Sequence, residues 1–444
     1  MKSIDQIAAE LQGYDPQALP AADVARFLSL LVAPVTERLE LPLFEALGRV
    51  LAEDVVSPFD VPPHDNSAMD GYAFDGSALA PGTGLQLKVV GTALAGKAWQ
   101  GTVGSTECLK IMTGAIMPPG LNTVVPQEFV TVHGDSITVP PKLLQPGDNR
   151  RQRGEDLMQG RAALSKGELL TPARLGLVAS LGMKTVSTLR PLRVAYFSTG
   201  DEILSLGEPP REGAVYDSNR YTVFGMLKRL GCEVIDMGVV RDEPALLEAA
   251  FGSAAAQADA IITSGGVSVG EADYTKAMMK KLGDVAFWRV AMRPGRPMAV
   301  GRIAQAKTVS SPFPTSADSS QNHSNPNGAI LFGLPGNPVA VMVTFLAFVR
   351  PALLQMMGST AAAPPLLKAR SLEAMRKKPG RTEYQRGTVS SAADGSLEVK
   401  TTGNQGSGVL SSMAQANGLI VLHHSQGNVA TGDEVDVMMF DGCI

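Results

Sequence analysis

The sequence predicts a multidomain α/β protein. Its centre is a doubly wound, mostly parallel sheet domain, flanked by an N-terminal helical and linker domain, an inserted small β domain and a C-terminal β barrel. Three observations predict this. At roughly 150 residues per domain, a 444-residue chain holds about three domains. From Leu192 to about Gly358, apolar strands alternate with helical stretches, the pattern of a parallel sheet covered on both faces. On either side, short strands punctuated by turn residues predict compact β domains, one from Leu85 to Pro141 and one from about Pro365. The expected boundaries are 1–50 with 148–190 for the helical and linker domain, 51–147 for the inserted β domain, 191–360 for the sheet domain and 361–444 for the barrel.

Taken in order, "AADVARFLSLLV" and "LPLFEALGRVLAEDV" repeat apolar residues at helical spacing and predict two helices. The prolines of "SPFDVPPHDNSAMDGYA" then break the regularity, and the stretch around Asp65 and Asp70 reads as a proline-stiffened linker. "LQLKVVGTAL", "CLKIMTG", "TVVPQEFVTV" and "SITVPP" supply the strands of the inserted domain. "RRQRGED" is a polar loop pairing Arg150, Arg151 and Arg153 with Glu155 and Asp156. "TPARLGLVASLGM" predicts a helix with Pro172 in its first turn, where its missing N–H costs nothing.

In the sheet domain the strands are "LRVAYFST", "CEVIDMGVV", "DAIITSGG", "VAFWRVAM" and "GAILFGLPG". The helices are "RYTVFGMLKRLG", "EPALLEAAFGSAAAQA", "ADYTKAMMKKLG" and the long "PVAVMVTFLAFVRPALLQMM". That last run comes closest to a membrane span, but it follows a turn and carries Arg350 and Pro351, so it reads as a buried helix. The Ser-, Asn- and Pro-rich stretch from Thr308 to Gly328 reads as a mobile loop between "PMAVGRI" and "GAILFGL".

Composition excludes several classes. Net charge is -4 with both signs dispersed, which argues against a nucleic-acid partner. The three cysteines, Cys108, Cys232 and Cys443, are far apart and form no zinc or disulfide pattern. The histidines form no chelating spacing, and no nucleophile elbow is present. The N-terminus lacks the apolar core of a signal peptide, so the expected location is the cytoplasm, with no membrane partner.

Ligands of such sheets sit outside the carboxyl ends of the strands. The loops expected there are "STGDEI" with Glu202, "GVVRDEP" with Asp242, "SGGVSVGEAD" with Glu271 and Asp273, "MRPGRP" with Arg293 and Arg296, and "GLPGNP" with Asn337. Gly265, Gly266 and Gly270 permit close backbone approach to an anion, although a lone glycine-rich loop is more often an ordinary turn. Asp273 suits a helix cap equally well. Set beside Glu202 and Asp242, it also suits a magnesium ion adjoining a phosphate, since magnesium takes one or two carboxylates plus substrate phosphates. Two guanidinium groups across a stiff proline–glycine turn suit an oxyanion. Asn337 and Pro338 are explained by a helix start alone.

The ordered set "DNSAMDGYA", "IMTGA", "RRQRGED", "FSTGDE", "YDSNR", "SGGVSVGEADYT", "FW", "PGRP" and "GLPGNP", followed by "TTGNQGSG", resembles the molybdopterin molybdenumtransferase family, which includes the E domain of gephyrin. The resemblance implies insertion of molybdenum from molybdate into adenylylated molybdopterin, with release of AMP and with Mg2+ as cofactor. It implies four domains and a homodimer whose cleft lies between the sheet domain of one subunit and the small β domain of the other. Asp65 and Thr113 match positions that the partner subunit contributes. Asp156, Glu202, Asp242 and Asp273 match the family's functional acids, with Glu202, Asp242 and Asp273 as metal ligands. Ser264, Gly265, Gly266, Ser268 and Gly270, the basic Arg289, Arg293 and Arg296, and Pro335, Asn337 and Pro338 match substrate-binding positions. The family often has lysine where this chain has those three arginines, and a planar guanidinium is not equivalent to an ammonium.

Three alternatives differ in kind. The related molybdopterin adenylyltransferase shares the glycine-rich loop but is a small single-domain protein. A non-catalytic, gephyrin-like scaffold would not need Asp65, Asp156 or Asp273. A nicotinamide oxidoreductase would carry GxGxxG after the first strand, which is absent here.

Overall fold

The computed structural model of the chain describes residues 2–267, 274–304 and 328–441. Contacts divide it into two units, one of Met1–Ala52, Gly167–Thr171 and Ser187–Ile444, the other of Glu53–Lys166 and Pro172–Val186.

The first unit is built on a six-stranded sheet. Its strands are β1 (Arg193–Thr199), β2 (Glu233–Val240), β3 (Ala260–Ser264), β4 (Gly283–Arg289), β5 (Pro297–Ile303) and β6 (Ala329–Leu334). Their spatial order is β2-β1-β3-β6-β5-β4. The first four in that order are parallel. β5 runs against both β6 and β4. β4 therefore points the same way as the parallel set, and the chain leaves β1, β2, β3, β4 and β6 at one sheet edge.

Every residue of β3 and β6 is buried, which explains their unbroken apolar composition. Side chains alternate between two cores, as the strand period of two requires. Tyr196, Ile262 and Phe332 face one core with Phe27, Leu227 and Phe348. Phe197, Ile261 and Leu331 face the other with Leu247, Phe251 and Met279. The helices Ala21–Leu31, Ser218–Arg229 and Pro338–Met356 thus cover one face, while Pro244–Gln257 and Tyr274–Leu282 cover the opposite one. Among the described residues, Pro338–Met356 is the one helix long and apolar enough to cross a membrane, and it is mostly buried. It contains a π turn at Phe345–Val349, just before Pro351, whose ring cannot donate to the helical ladder.

The predicted barrel is present and closed. Its strands are β7 (Leu367–Ser371), β8 (Thr382–Ser391), β9 (Leu397–Thr401), β10 (Gly418–Leu422) and β11 (Glu434–Met439). They run β8-β9-β7-β11-β10, and β10 pairs back onto β8. Val399, Ile420, Leu422 and Val437 fill it. A short strand, Met292–Arg293, pairs with β8 and ties the segment after β4 to the barrel wall.

The second unit holds a six-stranded sheet ordered Thr123–Pro126, Gly71–Phe74, Glu107–Ile111, Leu85–Ala93, Ser136–Val139 and Thr131–His133. Apolar clusters lie on both faces, one around Leu109 and Val124 and one around Phe74 and Ile137.

Two sequence expectations are corrected. The stretch around Asp65 and Asp70 is not a linker. Asn66–Ser67 pairs with Arg150–Arg151, and Gly71–Phe74 is an inner strand. A Cβ on Gly71 would lie 1.9 Å from the Val125 carbonyl oxygen, so only glycine fits that pairing. "LPLFEALGRVLAEDV" is not a helix either. It forms a strand at Arg38–Pro42 and a single 3-10 turn at Leu43–Glu45. Beyond it, Gly48 at φ +73° turns the chain. The amides of Gly48, Leu51 and Ala52 then donate to the carbonyls of Leu170, Glu168 and Ser187, so tertiary pairing overrides helix propensity. The Ser-rich stretch lies outside the described residues, apart from Gly328.

Arg190 anchors the start of the sheet. It grips Asp259 with two bonds of 2.7 Å, and the same carboxylate accepts the Arg193 amide at 2.9 Å. Both side chains are largely buried. Asp259→Ala removes the two-bond partner of the Arg190 guanidinium, which keeps its 2.8 Å bond to Glu37, and is expected to lower the unfolding free energy by about 2 kcal/mol in urea titration.

Candidate active site

The five strand ends converge on a cleft of about 950 Å³. β1 contributes Thr199, Gly200 and Glu202, β2 contributes Asp242, and β3 contributes Gly265, Gly266 and Val267. The segment from Met292 to Pro297 follows β4, and Pro335, Gly336 and Asn337 follow β6. The remaining wall comes from the barrel, as Arg381 and Gln405–Ser407.

The floor is tightly built. Beneath the glycine loop, the hydroxyls of Tyr196, Ser198 and Ser264 form a closed triangle with edges of 2.9, 2.7 and 3.1 Å. Burial pushes the Tyr196 phenol up, reinforced by the charge of Asp217, so it stays a neutral hydroxyl. Gly265, at φ +94°, sits so close to β1 that a Cβ would lie 2.4 Å from the Thr199 carbonyl oxygen. A Cβ on Gly266 would strike the Thr275 side chain at 2.5 Å. Thr275 in turn donates to Asp242 at 3.2 Å. Gly200 leaves room for the Glu202 carboxylate, which a Cβ would meet at 2.7 Å. Asn219 holds the far side by donating to the Gly336 carbonyl at 2.7 Å.

The opposite wall is cationic. Arg293 and Arg296 are exposed and have no ion-pair partner among the described residues. Their turn is set by Gly295 at φ +95°, where a Cβ would lie 2.4 Å from the Thr344 hydroxyl. Arg381 is paired with the buried Glu383 at 2.6 Å. The cleft thus presents backbone amides, guanidinium groups and two carboxylates to one volume. Among the described residues no three His, Cys, Asp or Glu side chains cluster as a metal cage. Glu202 and Asp242 line the cleft and are the carboxylates that would hold a magnesium ion there beside phosphate and water.

Of the sequence-predicted residues, Glu202, Asp242, Gly265, Gly266, Arg293, Arg296, Pro335 and Asn337 line this cleft. Ser264 lies buried beneath it, and Pro338 begins the helix behind it. Asn337 occupies the N-cap position, yet its side chain makes no cap hydrogen bond; the Val339 amide donates to the Ser407 carbonyl instead. Arg289 does not line the cleft: it ends β4, where its backbone exchanges bonds with Pro16 and Leu19. Ser268, Gly270, Glu271 and Asp273 lie outside the described residues.

Asp65, Thr113 and Asp156 belong to the second unit. Asp65 accepts the Arg153 amide at 2.8 Å and faces the Arg150 guanidinium at 3.5 Å. Asp70 fixes Thr113 through both its amide and its hydroxyl, each at 2.7 Å, and those bonds hold the carboxyl below its ordinary range. The Asp156 amide donates to Val61. Sequence reasoning missed Thr199, Arg381 and the Gln405–Ser407 wall. The glycines of "TTGNQGSG" were the available signal for the wall.

Comparison with known proteins gives one answer along the chain. Residues 19–182 match the MoeA N-terminal region (domain I and II), 195–355 a probable molybdopterin binding domain, and 368–440 the MoeA C-terminal region (domain IV). A molybdopterin molybdenumtransferase of Haemophilus influenzae is 41% identical over 421 residues, covering 94% of this chain and 98% of that one. One from Nostoc is 35% identical, covering 89% and 87%. The crystal structure of a molybdopterin biosynthesis moeA protein from Pyrococcus horikoshii superposes with a TM-score of 0.75 at 26% identity, covering 95% of this chain and 100% of that one.

The glycine floor yields a direct test. Gly265→Ala forces a side chain against Thr199 in a left-handed conformation and is expected to cost about 1–3 kcal/mol in chemical unfolding. Calorimetric titration should also show loss of anion binding in the cleft.

Proposed function

The chain belongs to the molybdopterin molybdenumtransferase family, and from that premise we propose that it inserts molybdenum from molybdate into adenylylated molybdopterin, releasing AMP and forming molybdenum cofactor. The observation that carries this reading is the union, in one cleft, of a glycine cradle, two exposed guanidinium groups and two carboxylates. Such a set suits a substrate with a phosphoanhydride at one end and an incoming tetrahedral oxyanion at the other.

In this reading the amides around Gly265 and Gly266 hold the phosphates, and Arg293 and Arg296 hold molybdate oxygens by paired hydrogen bonds. Glu202 and Asp242, with Asp273 carried over from the family motif, would hold Mg2+, which supplies positive charge at the phosphoanhydride. Gly200 leaves room for the Glu202 carboxylate, and the Thr275 hydroxyl donates to that of Asp242. As the dithiolene sulfurs replace oxygens on molybdenum, the departing oxygens need protons. Asp65 and Asp156 are the acids assigned to orient molybdate or move those protons. Arg289 carries no direct contact in this reading.

The same reading makes the enzyme a cytoplasmic homodimer, in which a partner's small β domain supplies Asp65 and Thr113. The reading also carries the four-domain division at 1–50 with 148–190, 51–147, 191–360 and 361–444; the family matches themselves separate 19–182, 195–355 and 368–440.

Purified protein supplied with adenylylated molybdopterin, molybdate and magnesium should release AMP and yield molybdenum-loaded pterin. Glu202→Gln and Asp242→Asn should each lower turnover by about a hundredfold while leaving the unfolding transition in place. Absence of AMP release from the unaltered protein would refute the assignment.

A further inference from the structure

The first unit carries a second concavity, of about 390 Å³. Gly231 and Cys232, which line it, lead directly into β2. It therefore lies where the parallel strands begin, at the sheet edge opposite the cleft. The proposed reaction makes no use of it.

Three separate parts of the chain bring cations here. Arg49 follows the Gly48 turn, Lys228 and Arg229 end the helix Ser218–Arg229, and Arg350 belongs to the helix Pro338–Met356. No aspartate or glutamate lines the concavity among the described residues. The guanidinium groups of Arg49 and Arg229 have no hydrogen bond or ion pair among the described residues. The other lining side chains are apolar, namely leucines such as Leu169 and Leu354 and the buried Cys232.

Basic residues at a helix C-terminus ordinarily serve the carbonyl dipole and need no ligand. Here that explanation falls short. The helix end is closed by its own backbone: the Gly231 amide donates to the Lys228 carbonyl at 3.0 Å and the Cys232 amide to the Leu227 carbonyl at 3.1 Å. Nor does a helix end account for Arg49 and Arg350, which come from other segments.

The walls are tied together. Gly48 at φ +73° and Gly231 at φ +81° form two left-handed turns, and a Cβ on Gly231 would stand 3.6 Å from the Gly48 carbonyl oxygen. The Gly48 amide donates to the Leu170 carbonyl, and the Leu170 amide to the Arg49 carbonyl, each at 2.8 Å. These bonds hold the Arg49 turn beside Leu169. Four like charges are thus gathered around one small concavity, and a bound anion offsets their repulsion.

We propose that this concavity binds a phosphate monoester with an apolar or aromatic body. Arg49 and Arg229 take the phosphate oxygens by paired hydrogen bonds, and the leucines take the body. The site is separate from the cleft and does not rest on the reaction proposed there.

The test uses 4-bromophenyl phosphate, titrated calorimetrically into the full chain and soaked into its crystals for anomalous diffraction at the bromine edge. Titrations are made in an Arg293→Gln/Arg296→Gln background, which weakens phosphate binding in the cleft. A bromine peak should stand in the concavity beside Leu169 and Leu354. Arg49→Gln and Arg229→Gln should each weaken binding about tenfold. Inorganic phosphate, which lacks the body, should bind about tenfold more weakly than the ester. 4-Bromophenol, which lacks the phosphate, should bind about a hundredfold more weakly. Absence of the peak, or unchanged affinity in both arginine variants, would overturn the proposal. Should Arg49→Gln not fold, the exposed Arg229 decides the matter alone. Inorganic phosphate binding as tightly as the ester would refute the apolar body, and 4-bromophenol doing so would refute the phosphate. A peak in crystals without binding in solution would be binding at crystal concentration only, and would overturn it as well.

Discussion

The close approach of the β3 exit to the end of β1 is the constraint on which the site depends. Gly265 lies against the Thr199 carbonyl at a distance no side chain tolerates. That contact exists because β1 and β3 are adjacent, parallel and in register from Val194 to Ser198. It brings the glycine loop level with Glu202 and Asp242 on the neighbouring strands and leaves the cleft open above. The apolar burial of β3 and β6 keeps the strand ends fixed, so the sheet core and the site geometry share one physical cause.

Charge balance explains why a phosphate-type cradle carries acids. Glycine amides, Arg293 and Arg296 favour anions, whereas Glu202 and Asp242 alone would repel them. In the proposed reading Glu202 and Asp242 would hold a divalent cation, whose positive charge would offset that repulsion. The barrel adds a further contribution, because Arg381 and Gln405–Ser407 form part of the cleft wall. The cleft therefore depends on the barrel as well as on the sheet.

Much of this arrangement was legible in the sequence because parallel strands are buried on both faces. Runs such as "DAIIT" and "AILFGL" mark them, and the loop after each run names its contribution to the sheet edge. Less legible was anything set by distant pairing. Gly71–Phe74 is short and begins with a glycine chosen for a 1.9 Å approach, so it carried no strand pattern. "LPLFEALGRVLAEDV" has helical periodicity, but its amides bond to carbonyls far along the chain. Arg289 was grouped with Arg293 and Arg296 by the family resemblance, although it ends β4 and the other two lie beyond the turn. The barrel wall could not be assigned because its place at the cleft follows from Met292–Arg293 pairing with β8, a contact without sequence signature.

The central claim is that this cleft handles molybdate beside a bound phosphate. Anomalous diffraction at the molybdenum absorption edge, from crystals soaked in molybdate with pyrophosphate, tests it most directly. The account predicts one dominant peak in the cleft, within hydrogen-bonding reach of Arg293 and Arg296. A molybdenum peak ordered elsewhere on the protein, with the cleft holding only water, would contradict it.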